Sequence, residues 1–165
     1  MSWVLEMPEF KNWLNAELDS KERLLWICGS AGIGKSIIAG FLIDHLQTSY
    51  PNALVAYFFC KRGDMKLMYA RSIFRTIAYQ CMKKSARVRS TLEACKKENI
   101  DLASNIGIST LLEGLLQEPL ASFDDEIYIV LDALDEADRA TMDVNEDNRS
   151  EIDVLIESFA KLRNA

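Results

Sequence analysis

Residues 24–36 read Leu24-Leu25-Trp26-Ile27-Cys28-Gly29-Ser30-Ala31-Gly32-Ile33-Gly34-Lys35-Ser36. The first five are apolar and have the length of a buried strand, and the next eight match the pattern G-x-x-x-x-G-K-[ST]. Glycines let the backbone wrap closely around an anion, because no Cβ obstructs the inward-pointing N–H groups. The stretch therefore predicts a strand, a phosphate-binding loop and the start of a helix, with a nucleoside triphosphate as the ligand.

The residue types in this loop divide the work of holding a polyphosphate. Lys35 would reach the β- and γ-phosphates, and the Ser36 hydroxyl would bind Mg²⁺. The helix that opens at Lys35 would add the positive end of its dipole. Apolar residues between Ile37 and Leu46 recur every three to four positions, as the buried face of that helix requires. The predicted nucleotide-binding residues are Gly29, Ser30, Ala31, Gly32, Ile33, Gly34, Lys35, Ser36 and Ile37.

A second apolar run, Ile127–Leu131, ends in Asp132. Its continuous apolar character is typical of a strand buried on both faces. An aspartate at the carboxyl end of such a strand can face the phosphate loop and hold Mg²⁺ through water, because this small hard ion keeps much of its hydration. Asp132 is therefore the predicted metal-side residue, together with Ser36.

Two further acids, Asp135 and Glu136, follow closely. Beside a phosphate loop, one of them is predicted to position or deprotonate the water that attacks the γ-phosphate, with Glu136 slightly favoured over Asp135. The alternative is a solvated acidic turn or a helix N-terminus that negative charge stabilises.

The two motifs together resemble the NACHT branch of the STAND signalling NTPases. The residues that carry the resemblance are 24–36 and Ile127-Tyr-Ile-Val-Leu-Asp-Ala-Leu-Asp-Glu136. The segments Trp3–Leu14 and Val55–Cys60 are similar to the version common in filamentous fungi, which also resembles the P-loop region of nephrocystin-3-like proteins. The distinguishing detail is the small residue after the metal-side aspartate, here Ala133, with acids three and four positions beyond that aspartate.

The resemblance implies a molecular switch that uses ATP, ADP and Mg²⁺. Members of the family hold ADP at rest, exchange it for ATP after a trigger, and self-associate through the NTPase domain to expose an effector. Hydrolysis then limits the signal. The resemblance also implies that this chain is a partial domain that binds nucleotide with little turnover, and that downstream repeat and effector domains are missing. The preference for ATP over GTP comes from the resemblance alone.

The predicted fold is an α/β, three-layer P-loop NTPase sandwich with a mainly parallel sheet, incomplete at the C-terminus. One domain is expected over residues 1–165, with a helical lead-in at 1–23 and the P-loop core at 24–165. Short strands separated by helices favour parallel pairing. A strand is expected at 53–60. Helices are expected at 68–82, 88–95, 109–117 and 150–162, with Pro119 breaking the third of them.

Lead-in aromatic residues and cysteines are expected to pack in the core. The aromatic residues are Trp3, Phe10 and Trp13, for which bordering the nucleotide base is the alternative. The four cysteines lack metal-binding spacing, and with no signal peptide or apolar span their reduced state favours a cytoplasmic protein without a membrane partner. His45 is the single histidine, and no matching serine or cysteine constellation accompanies it, so the sequence does not support a hydrolytic triad.

Charge patterns favour solvated surfaces over nucleic-acid binding. The net charge is −6, and no aromatic residues interleave the basic cluster, which is best explained as a helix face in water. Its members are Lys83, Lys84, Arg87, Arg89, Lys96 and Lys97. The polar run 138–149 is predicted to be a solvated acidic loop.

Two other functions fit the same motifs. One is an interaction scaffold that binds nucleotide without turnover. The other is a different P-loop NTPase or kinase, for which an arginine-rich substrate lid is expected and is not evident in the sequence.

Overall fold

The computed structural model describes residues 2–16, 23–61, 63–64, 67, 69–97, 108–121, 123–136 and 151–160. Its helices are α1 (Trp3–Glu6), α2 (Pro8–Leu14), α3 (Lys35–Ser49), α4 (Ala70–Lys84), α5 (Ala86–Lys97), α6 (Ile108–Leu112), α7 (Glu118–Leu120) and α8 (Glu151–Ala160). Its strands are β1 (Leu54–Phe59) and β2 (Ile127–Asp132). A π-helical turn, Glu113–Gln117, joins α6 to α7, and a 3-10 turn, Leu134–Glu136, follows β2.

The two strands pair in parallel, with Leu54 opposite Ile127 and Phe59 opposite Asp132. Parallel neighbours need a long crossover, which α4 to α7 supply here. The predicted α/β class with parallel pairing is therefore confirmed. Within the described residues the sheet consists of these two strands, which is less than the full sheet of the predicted sandwich.

Helices cover both faces of the sheet. On one face, Ala56 and Phe58 pack with Phe74 of α4 in the largest hydrophobic cluster. On the other face, Tyr128 packs with Leu46 of α3. A strand in a parallel sheet is apolar on both sides for this reason. The arrangement brings the carboxyl ends of both strands to one edge, near the start of α3.

Residues 24–30 form no regular secondary structure, so the predicted strand at 24–28 is wrong. Among the described residues, none of its backbone groups hydrogen-bonds to β2, and a cavity separates the two segments. Trp26 is 57% exposed. The Trp13 indole N–H donates to the Arg23 carbonyl over 3.0 Å, which ties the start of the segment to α2. An apolar run indicates that a segment can be buried, whereas a strand also needs a neighbouring strand about 5 Å away with which to form hydrogen bonds.

Pro119 does not end the third helical stretch. Helical structure continues to Leu120 through the π-helical turn. The Glu118 N–H donates to the Glu113 carbonyl, five residues back. The wider turn lies directly before Pro119, which has no N–H and whose ring would crowd the carbonyl four residues back. The prediction of a break was therefore wrong, because a local change in helix type accommodates the proline.

The lead-in aromatic residues divide between core and surface. Phe10 is buried, and the ring centroid of Trp13 lies 5.5 Å from that of Tyr128. Trp3 is 58% exposed, so its predicted place in the core is wrong. Trp3 lies in the single-turn helix α1, whose buried residue is Val4.

The predicted acidic loop at 138–149 lies outside the described residues. Among the described helices, none has both the length and the apolar character that crossing a bilayer requires.

Candidate functional site

Two glycines of the loop before α3 have backbone conformations that favour glycine. Gly32 has a φ of 80° and Gly34 a φ of 93°, in the region that side chains with a Cβ rarely adopt. Gly29 differs, because its φ is not positive and a Cβ there would collide with the Ile33 side chain. That side chain is exposed and can move. The loop shape therefore depends on Gly32 and Gly34 more than on Gly29.

The start of α3 is a favourable place for an anion. The N-cap residue Gly34 makes no side-chain capping bond, and no acidic residue lies in the first turn. The Gly34 carbonyl accepts hydrogen bonds from the Ile37 and Ile38 N–H groups, each over 3.0 Å. The N–H groups of Lys35 and Ser36 precede any intrahelical acceptor, so they and the helix dipole can serve a bound anion.

Lys35 folds back over the loop. Its Nζ donates to the Gly29 carbonyl over 2.8 Å and to the Ser30 carbonyl over 3.1 Å. These contacts hold the ammonium group above the glycine-rich turn, where a phosphate group would compete for it with greater electrostatic attraction.

One cavity of about 450 Å³ joins the loop to the end of β2. Its lining includes Gly29 and Lys35 together with Asp132, Ala133 and Asp135. The lining does not include the described residues 30–34, 36–37 or 136. The structure thus brings Lys35, Asp132 and Asp135 to one cavity, whereas Ser36 and Ile37 lie in the exposed first turn of α3.

Asp132 ends β2 and is 8% exposed. Alternate strand residues share a face, so Asp132 lies on the face of Tyr128 that packs against α3. Among the described residues, no group of three or more possible metal ligands comes together.

Ala133 adopts a left-handed conformation, with a φ of 55°. This conformation costs an L-residue roughly 1–2 kcal/mol, and a small side chain limits the steric conflict. The chain then enters the turn Leu134–Glu136, in which the Glu136 N–H donates to the Ala133 carbonyl over 2.9 Å. The backbone turns sharply at Ala133 and brings Asp135 to the cavity. This turn explains why a small residue follows Asp132.

Cys60 is a part of this edge that the sequence did not single out. Its N–H donates to the Asp132 carbonyl over 3.0 Å. Burial raises the pKa of the Cys60 thiol to about 11, and the negative charges of Asp132, Glu136 and Asp135 add to the rise. The thiol is therefore neutral at neutral pH. The position of Cys60 at the end of a predicted strand could have indicated from the sequence that it lies near the site, because the carboxyl ends of parallel strands lie together.

Replacing Gly34 by alanine is expected to lower the free energy of unfolding by about 1–2 kcal/mol, because an alanine at its φ is strained. Gly40, inside α3, is the matched control: its φ is not positive, and a Cβ there meets no atom within 4 Å. Gly40→Ala should raise the free energy of unfolding by about 1 kcal/mol through helix propensity. Urea unfolding measures both, and changes of the same sign would contradict the assigned loop conformation.

With its fold and site described, the chain can be placed among known proteins. Residues 1–164 match the family model described as Nephrocystin 3, N-terminal, and the chain belongs to this family. It is also 29% identical over 140 residues to the vegetative incompatibility protein HET-E-1 of Podospora anserina. These matches confirm the predicted resemblance to the NACHT and nephrocystin-3-like group, which is NTPase-related.

The match to the Podospora protein covers only a small part of that protein. The alignment covers 81% of this chain and 10% of the Podospora protein, so the chain spans about a tenth of the length of that relative. No solved structure shows significant similarity to the chain.

Proposed function

We propose that this chain is the ATP-binding module of a signal-transduction NTPase switch. The observation that carries the proposal is the shared cavity, which Lys35 at the start of α3 and Asp132 at the end of β2 both line. A cation and a carboxylate in one cavity are what a polyphosphate with its Mg²⁺ requires.

The loop and α3 would hold the phosphates. Backbone N–H groups of residues 29–36 and the helix dipole would attract the anion, and the Lys35 ammonium would exchange its two carbonyl contacts for the β- and γ-phosphates. Mg²⁺ would neutralise developing charge on those phosphates. Ser36 would ligate the ion directly, and Asp132 would hold it through water.

Hydrolysis needs a group that acts on the attacking water. Asp135 lines the cavity and Glu136 does not, which favours Asp135 over the residue that the sequence favoured. The same placement of Glu136 supports the second candidate function, a nucleotide-binding scaffold without turnover. In the switch, ADP-to-ATP exchange would drive self-association through the NTPase domain and act on downstream repeat and effector domains, in the cytoplasm.

Nucleotide protection of Cys28 tests the proposal. Cys28 was expected in the core, which is wrong: it is exposed, because the segment that carries it pairs with neither of the two described strands. It lines the same cavity as Lys35, so Mg-ATP should slow its alkylation by a maleimide roughly tenfold or more, the effect of covering an exposed thiolate. Cys28→Ser should remove the protected signal.

Three other cysteines serve as internal controls. Cys95 is partly exposed and lies outside the cavity, so its labelling rate should not change with nucleotide. Burial raises the pKa of the Cys60 thiol to about 11 and that of Cys81 to about 12. Since the thiolate is the reactive form, both should stay unlabelled at neutral pH and gain reactivity only as the pH approaches those values. Equal Cys28 labelling with and without saturating Mg-ATP would contradict the proposed site.

A further inference from the structure

The outer edge of β1 is the side of the strand that faces away from β2. Leu54 and Cys60 direct their N–H groups to β2, where they donate to the Glu126 carbonyl over 2.8 Å and the Asp132 carbonyl over 3.0 Å. Backbone groups alternate sides along a strand in a parallel ladder. The β1 residues whose N–H and C=O point to the outer edge are therefore Val55, Tyr57 and Phe59.

A glutamine side chain occupies the middle of this edge. The Tyr57 N–H donates to Gln80 Oε1 over 2.9 Å, and Gln80 Nε2 donates to the Tyr57 carbonyl over 2.9 Å. A carboxamide offers a donor and an acceptor side by side, as a neighbouring strand would. Gln80 therefore satisfies both outward groups of Tyr57 at once.

Lys84 makes a second contact from the same helix. It lies one turn after Gln80 in α4, on the same face, and its Nζ donates to the Pro51 carbonyl over 2.6 Å. Pro51 lies in the turn directly before β1. We name Gln80 and Lys84 the α4 seam, which contacts the outer edge of β1 at Tyr57 and the turn before β1 at Pro51.

We propose that the α4 seam prevents the outer edge of β1 from accepting a further strand, and that the strand it excludes is β1 of a second copy of this chain. An exposed edge is a template for pairing, and identical edges can pair about a two-fold axis. Strand addition needs outward groups at every second residue. With Tyr57 engaged, Val55 and Phe59 remain, about 13 Å apart.

The consequence is that any self-association of this chain would use surfaces other than the β1 edge. Natural sheets protect edges with charged lysines and covering helices, and the α4 seam combines both. The proposal does not depend on nucleotide binding, because neither Gln80 nor Lys84 lines the cavity beside Lys35. Its failure would leave the proposed function untouched.

Gln80→Met tests the seam, because methionine has a similar length and cannot form either hydrogen bond. In sedimentation velocity, this variant should form larger species than the wild type at equal concentration. Gln80→Glu keeps the acceptor for the Tyr57 N–H and loses the donor to the Tyr57 carbonyl, but it adds a charge that opposes strand pairing, so it should sediment as the wild type does. Gln47→Met, the same substitution at an exposed site in α3, should also leave sedimentation unchanged.

Amide exchange at Tyr57 provides the second measurement. In dilute samples, exchange of the Tyr57 N–H should accelerate roughly fivefold or more in Gln80→Met, the effect of one lost hydrogen bond, and should not accelerate in Gln80→Glu or Gln47→Met. If Gln80→Met does not fold, Gln80→Ala must give the same pattern. The proposal is overturned if Tyr57 exchange is unchanged without the carboxamide, or if exchange accelerates while sedimentation stays that of the wild type.

Discussion

Lys35→Ala is expected to weaken ATP binding by roughly 100-fold. The substitution removes the positive charge that hydrogen-bonds the Gly29 and Ser30 carbonyls in the loop and that would bind the β- and γ-phosphates. Charge-assisted hydrogen bonds contribute about 1.5–3 kcal/mol each, and about 1.4 kcal/mol corresponds to tenfold in affinity. Isothermal titration calorimetry with Mg-ATP measures the change.

Lys11→Ala is the matched control for Lys35→Ala. It removes the same charge from an exposed ion pair with Glu6 at 2.8 Å, outside the cavity, and should leave ATP affinity unchanged. Thermal unfolding should show little loss of stability for Lys35→Ala, because water can replace the ammonium at the exposed loop carbonyls. Equal ATP affinity in the wild type and Lys35→Ala would refute the nucleotide site.

Asp132→Asn is expected to abolish the gain in ATP affinity that Mg²⁺ provides. In the wild type, Mg²⁺ should strengthen ATP binding at least roughly tenfold over binding in EDTA, as one charge-assisted contact to a cation contributes. In the variant the ratio should fall to about one, because the amide carries no charge to hold the hydrated ion. Affinity in EDTA should not fall, since a carboxylate near the phosphates is repulsive.

Asp125→Asn is the control for this second change. Asp125 is exposed and lies before the amino end of β2, at the opposite end of the strand from Asp132. The variant should keep the full effect of Mg²⁺. If Asp132→Asn also keeps it while Lys35→Ala loses affinity, the loop binds phosphate but another group holds the ion.

Both predictions concern residues near the carboxyl ends of the strands. Lys35 is the first residue of α3 and Asp132 is the last residue of β2, and both line the same cavity. Ala133 turns the chain there with a left-handed φ. Strain of this kind, about 1–3 kcal/mol, persists where the surrounding structure holds it. The conformation is compatible with the small residue that the family resemblance associates with this position.

Local patterns of residues were sufficient to predict much of this chain. The motif at 29–36 predicted a glycine-rich turn into a helix, and the helix begins at Lys35 with Gly34 as its N-cap. The apolar run at 127–131 predicted a strand, and β2 covers it and ends at Asp132. Backbone freedom and hydrophobic period depend on neighbours close in sequence, so both can be recognised without knowing the rest of the fold.

Contacts between distant segments depended on the folded chain. The apolar run at 24–28 resembles a strand, yet a cavity lies between it and β2, and Cys28 and Trp26 are exposed. The hydrogen bond from the Gln80 side chain to the Tyr57 carbonyl joins residues that are 23 positions apart in the sequence. Strand pairing, side-chain contacts across elements and the burial of Asp132 follow from how the elements pack in space. The spacing of residues along the sequence does not determine the distances between these segments in space. Those distances are set by the tertiary structure.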